Sequence, residues 1–149
     1  MLSKAIKWSL YLVLATFFLG CSSTKVVVTG KLQKPTGNQM PSPDLPSETP
    51  AGVSGFVYFF EPTLVNMGVP TGETGTFLMT NKKLIAKSLA NKEGFFNVKL
   101  RPGNYTVLIG RGSHYYSNIS NLEGFINPVV IGKKDNKPLV LSADWDAIY

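Results

Sequence analysis

The stretch from Asn91 to Ile109 limits the fold more than any other part of this chain. Asn91-Lys92-Glu93-Gly94 is turn chemistry. Phe96, Val98 and Leu100 then alternate with Asn97 and Lys99, the period-2 pattern of a strand with one buried face. Arg101-Pro102-Gly103-Asn104 turns again. Pro presets φ near −65° and Gly tolerates positive φ, so a type II turn is expected there. Tyr105, Val107 and Ile109 carry the alternation onward. Two strands joined by a tight turn must bury one shared face, and that requires a second layer of structure.

The same pattern recurs along the chain, and no segment after residue 24 keeps a 3.6-residue apolar period. Residues 25–32 form one expected strand, with Val26, Val28 and Leu32 on one face. Residues 55–61 form another, apolar on both faces: Phe56, Tyr58 and Phe60 against Val57 and Phe59. That pattern belongs to a central strand covered on both sides. Residues 83–89 and 125–131 add two more. The last, 138–145, is expected to turn Leu139, Leu141, Ala143 and Trp145 inward and to leave Asp144 and Asp146 in solvent. Seven strands in this length predict an all-β fold, a seven-stranded antiparallel Greek-key β-sandwich.

Two connections are long for a compact domain, about 33–53 and 62–81. A shorter one covers 110–124. The segment Pro41 to Pro50 holds four of the ten prolines and reads as extended and semi-rigid. Read along its length, the chain shows no internal repeat.

The amino terminus is written differently. Lys4 and Lys7 precede an apolar run from Trp8 to Leu19. Twelve residues fall short of the roughly 20 needed to span a bilayer and suit the apolar region of a signal peptide. The run ends in Phe18-Leu19-Gly20-Cys21, which resembles the bacterial lipobox. The resemblance implies cleavage between Gly20 and Cys21 and lipidation of Cys21. Residues 1–20 are then a discarded leader, 21–24 a short tether and 25–149 one domain. Two or more acyl chains hold a protein stably in a membrane, whereas one does so only marginally. Ser22 stands where an Asp resembles an inner-membrane retention signal, and residues 22–25 lack an acidic surface-export run. The expected location is therefore the outer membrane, facing the periplasm. Cys21 is the chain's one cysteine, so no disulfide forms within a copy and the fold rests on its apolar core.

The segment Asn91 to Val107 resembles the carboxypeptidase regulatory-like domain, a transthyretin-like (prealbumin-like) sandwich. A polar turn ending in Gly, an alternating strand, a Pro-Gly turn and a Tyr carry the likeness. Asn91 replaces the usual Asp. Gly37 to Pro41, Glu61-Pro62-Thr63 and the terminus Ala143 to Tyr149 extend it to lipoproteins of the Bacteroidetes that bear this domain. The resemblance implies a fold and no hydrolysis, because function lives in sites added to folds.

Few residues offer chemistry. His114 is the single histidine, beside Ser113, and neighbours on an extended chain point apart rather than form a nucleophile–base pair. One His and an acylated Cys leave no zinc set. Asp144 and Asp146 at i, i+2 are the nearest approach to a hard-cation site, and as outward residues they are expected to be solvated. No cofactor is expected. The formal charge is +6, or +4 once Lys4 and Lys7 leave with the leader. It is scattered, with small clusters at Lys82-Lys83 and Lys133-Lys134-Lys137, and only two Arg are present. Nucleic acid is not an expected partner. His114-Tyr115-Tyr116 offers either a stacking surface for a sugar or protein partner, or one ring capping the sandwich and one half exposed. The expected function is a non-catalytic, membrane-anchored envelope module that binds a protein or polysaccharide. A carbohydrate-binding lipoprotein is the alternative, and an enzyme of unfamiliar type a distant third.

Overall fold

The structure is a computed structural model that describes residues 24–35, 49–134 and 137–146. Among these residues eleven strands form two sheets. They are β1 (Val26–Lys34), β2 (Ala51–Gly52), β3 (Gly55–Phe60), β4 (Val69–Pro70), β5 (Thr76–Leu78), β6 (Leu84–Ala90), β7 (Phe95–Leu100), β8 (Gly103–Arg111), β9 (His114–Tyr116), β10 (Pro128–Ile131) and β11 (Leu139–Ser142). The fold is the expected all-β sandwich. Each of the seven expected strands is present, and four short ones are added.

β1 is the axis of the first sheet. Gly30 and Lys31 each pair with β11 on one edge and β7 on the other. Past β7, the same edge of β1 takes up β2. The second sheet runs β4-β5-β9-β8-β3-β6, with β10 on the edge of β8 that β3 leaves open. One pairing departs from the all-antiparallel expectation: β1 and β11 are parallel, Gly30 opposite Leu139 through Gln33 opposite Ser142. The two strands stand at opposite ends of the chain, and β11 arrives by crossing over from β10 of the other sheet. No hairpin therefore dictates its direction.

Alternation decides which side chains meet between the sheets. Val28, Leu32, Phe96, Val98, Leu100 and Leu141 of the first sheet pack on Val57, Phe59, Tyr105, Val107, Ile109 and Ile131 of the second. The opposite face of β3 is covered at Phe60 and partly at Tyr58, while Phe56 at its start stays exposed. Residues 62–81, expected as a long loop, form a 3-10 turn (Val65–Met67) and the strands β4 and β5, which fold back to extend the second sheet beyond β9. Phe77 then closes with Phe60, Leu108 and Ile126 into a second, smaller core, and Tyr58, Met79 and Tyr115 pack around it. The Thr63 N–H donates to the buried Thr106 Oγ1 at 2.9 Å, and the Thr63 carbonyl accepts from the Ile126 N–H at 2.9 Å. Those bonds pin the folded-back segment to β8 and to the residues before β10. The stretch 110–124 likewise contains β9.

Two turns are built alike. Asn91 Oδ1 accepts from the Phe95 N–H at 2.8 Å, and the Gly94 N–H donates to the Asn91 carbonyl at 3.0 Å. Asn121 does the same to Phe125 and Gly124, at 2.8 and 2.9 Å. The residues are Asn-Lys-Glu-Gly-Phe and Asn-Leu-Glu-Gly-Phe, a five-residue recurrence that corrects the expectation of no internal repeat. Gly94 and Gly124 have φ of 85° and 82°, which glycine adopts without strain. The turn at Pro102 is not the expected type II. Gly103 is nearly extended (φ 157°) and opens β8, and the Tyr105 hydroxyl closes the turn by donating to the Arg101 carbonyl at 2.6 Å.

The first of the paired turns also ties the layers together. It carries the chain from β6 of one sheet to β7 of the other. Its Gly94 carbonyl accepts from the Leu32 N–H at 2.8 Å, while the Leu32 carbonyl accepts from the Val53 N–H at 3.1 Å. A Cβ on Gly94 would lie 2.1 Å from the Leu32 carbonyl oxygen. Gly94→Ala is therefore expected to cost about 2–4 kcal/mol in urea unfolding, the clash adding to the strain of positive φ. Gly112→Ala has the strain (φ 61°) but open space around it, and should cost about 1 kcal/mol. Equal losses would show that the close approach at Gly94 is not a constraint.

Candidate functional site

Gly20 and Cys21 lie outside the described residues, as do Gly37 to Pro41 and most of the Pro41 to Pro50 segment. The described chain begins at Thr24, and Val26 opens β1 opposite Leu100.

The His114-Tyr115-Tyr116 group is strand β9 rather than a loop, and the pleat separates its members. Tyr116 faces the main core and is 4 % exposed. Tyr115 faces the other way, edge-on to Tyr58 and Phe60 with centroids 4.9 and 5.1 Å apart. The two rings share no exposed platform. One is buried at the sandwich end and the other half-buried in the smaller core. His114 sits at the hairpin tip, its Nδ1 3.3 Å from the neighbouring Ser113 Oγ.

Tyr116 leads to the one buried carboxylate among the described residues. Asp144 is 5 % exposed, which corrects the expectation of an outward, solvated Asp. The reason is local: β11 ends at Ser142, so strand alternation stops before Asp144. The Ala143 N–H makes a last ladder bond to the Gln33 carbonyl at 2.8 Å, and a turn follows. Tyr116 Oη donates to Asp144 Oδ1 at 2.7 Å, and Asn118 Nδ2 donates to Oδ2 at 2.5 Å. Trp145 stacks edge-on against Tyr116 at 5.0 Å. Lys34 and Arg111 lie over the Trp145 ring at 5.9 and 5.2 Å, a cation–π pair from two different sheets. Each cation has a carboxylate of its own: Lys34 Nζ is 2.7 Å from Asp146, and Arg111 Nη1 is 2.7 Å from Glu73. Asp146 is exposed as expected. Its hydrogen bond to Lys34 holds its carboxyl below the ordinary carboxylate range against partial desolvation, and the charges of Lys34 and Arg111 act in the same direction. Every group in the cluster has a partner within it, so it fastens the chain end across both sheets. Among the described residues, no three His, Cys, Asp or Glu side chains gather as a metal set.

The opposite end of β1 is open. A cleft of about 460 Å³ lies where the described chain begins, between β6 and the β7–β8 turn. Lys25, Lys83, Lys99 and Arg101 line it with a single carboxylate, Glu61. Leu84, Ile85 and Pro62 supply apolar surface. A register shift opposite Phe59/Phe60 lets Phe60 pair with Leu84 and passes over Ile85. Simple alternation would send Leu84 and Ile85 to opposite faces. The bulge leaves both exposed, and both reach the cleft. Burial pushes the Tyr105 phenol at the cleft wall above its ordinary pKa, partly offset by Arg101.

The long sides of the sandwich also differ. The β6–β7 turn closes one. On the other, β10 and β11 have no further strand beside them among the described residues. Val130 (75 % exposed) and Val140 (61 %) stand on these edges. No known protein family, curated protein or solved structure matches this chain.

Tyr116→Phe removes one hydrogen bond to the buried carboxylate and should lower stability by about 1–3 kcal/mol in urea unfolding, with the fold retained by circular dichroism. A change below about 0.5 kcal/mol would mean that the bond contributes nothing net. Lys34→Met should raise the Asp146 pKa toward the ordinary carboxylate value, read from the carboxyl carbon by NMR. The sign follows from the depressed folded-state pKa: the pair stabilises above the ordinary carboxylate range, and that contribution fades as pH falls through the depressed value. An unmoved midpoint would assign the shift to a cause other than Lys34.

Proposed function

We propose that this chain is a non-catalytic, lipid-anchored module of the cell envelope, held at the outer membrane through Cys21 and facing the periplasm, that binds an extended segment of another envelope protein. The observation that carries the binding role is the open side of the sandwich. Among the described residues, the outer edges of β10 and β11 pair with no further strand and have exposed valines beside them, and such edges accept an added strand. The anchor rests on the Gly20-Cys21 lipobox. The sequence resemblance to the carboxypeptidase regulatory-like domain supports the same reading only in that it implies a sandwich and no hydrolysis. A sugar platform on Tyr115 and Tyr116 draws no support from two rings that face opposite layers.

Mild cross-linking in cells followed by affinity capture of the full-length protein tests both halves. Wild type should retain a specific envelope protein. Val130→Lys with Val140→Lys should reduce that capture about tenfold with unchanged circular dichroism, because edge lysines block strand addition. Equal capture by the double variant would remove the edge from the proposal. Cys21→Ala should shift the protein to an unprocessed or soluble form, and its recovery as a processed membrane-bound form would overturn the anchor.

A further inference from the structure

The basic cleft at the start of β1 has no role in strand addition, and its place in the fold is informative. Four cations converge on it from separate parts of the chain: Lys25 before β1, Lys83 before β6, Lys99 at the end of β7 and Arg101 in the β7–β8 turn. One carboxylate, Glu61, accompanies them, and its Oε1 accepts from the Lys83 backbone N–H at 3.3 Å. Lys25, Lys83 and the neighbouring Lys99 and Arg101 come from three separate stretches of the chain, so the charge is assembled by folding. Beside them the bulge at Ile85 turns two adjacent apolar side chains into the same cleft. A phosphate with hydrocarbon next to it matches such a surface: the cations take the anion, and Leu84, Ile85 and Pro62 take the apolar part.

The length of chain before the cleft sets which phosphate is near. Cys21 precedes Lys25 by four residues, which span at most about 14 Å when fully extended. The headgroup layer of one leaflet is roughly 5–7 Å deep, the difference between a hydrocarbon core of about 30 Å and a bilayer of about 40–45 Å. A cleft tied that closely to an acyl anchor cannot leave the neighbourhood of the headgroups. At physiological salt, charges interact over about 8 Å, so its cations feel phosphates at that range.

We propose that this cleft binds the headgroup of an anionic glycerophospholipid in the membrane that carries the anchor, so that the domain is held in a fixed orientation on the bilayer. The placement of the lipid rests on the proposed acylation of Cys21, whereas the headgroup site itself does not. Thermal unfolding of the detergent-purified full-length protein tests it, titrated with short-chain phosphatidylglycerol, short-chain phosphatidylcholine or inorganic phosphate. Phosphatidylglycerol should raise the melting temperature saturably, more weakly at high salt. The other two should not. Combined Lys25→Gln, Lys83→Gln, Lys99→Gln and Arg101→Gln substitutions should weaken the affinity at least about tenfold, with the lipid-free melting temperature unchanged. If that variant melts lower without lipid, Lys99→Gln alone should still show a measurable loss of affinity. Equal stabilisation by phosphatidylcholine, or by inorganic phosphate, would overturn the proposal. Mass spectrometry of the amino-terminal peptide reads the anchor separately. An unmodified Cys21 with intact phosphatidylglycerol binding would defeat the acylation and leave the headgroup site standing. An acylated Cys21 with no lipid preference would do the reverse.

Discussion

A strand that is apolar on both faces has to be covered twice, and β3 imposes that requirement on the rest of the molecule. Val57 and Phe59 face the first sheet and Phe60 faces outward, yet all three are buried. Burial of side chains this large contributes about 1.5–3 kcal/mol each, so leaving the outer face wet would waste a substantial part of the fold's stability. The chain meets the requirement with its own connections. Phe77 from β5 and Ile126 from the residues before β10 close over Phe60 and Leu108. Thr63 and Thr106, buried polar residues, hold that cover down through backbone partners. A long polar-looking connection became structure because a hydrophobic surface beneath it had no other partner.

That outcome marks what the residues state openly and what they withhold. The main strands were legible because period 2 is a local signal, and the two-sided character of β3 even announced that a second cover was needed. What would supply the cover was not legible. Phe77 is a lone aromatic among Gly and Thr, and a strand as short as β5 has too few residues to show a period. The parallel pairing of β1 with β11 depends on how two distant segments meet, which neither records. Asp144 misled for a related reason. Alternation is a property of a strand, and the strand stops two residues before it. Its burial follows from Tyr116 and Asn118, more than 25 residues away in the chain.

The two matching turns carry a different lesson. Asn91 and Asn121 serve as hydrogen-bond acceptors for a backbone N–H four residues on, and each is followed by a glycine at positive φ. One sits between sheets and the other within the outer cover. A five-residue unit of this kind satisfies its own polar groups, so it works wherever a strand has to reverse. The recurrence is present in the sequence, but five residues are far shorter than a structural repeat.

β1 has two ends, and the cationic cleft and the Trp145 cluster are sorted between them. Val26 stands by the cationic cleft and Lys34 by Trp145, a separation of about 26 Å at the usual rise of a strand. On an anchored molecule, β1 therefore acts as a mast. The Arg111–His114 hairpin and Trp145 occupy its top, furthest from the lipid, and the open β10–β11 side runs up its flank. A partner threading along that flank would lie steeply to the bilayer rather than flat on it. On the proposed outer-membrane anchor it would approach from the periplasmic space, with one end near the headgroups and the other level with Trp145.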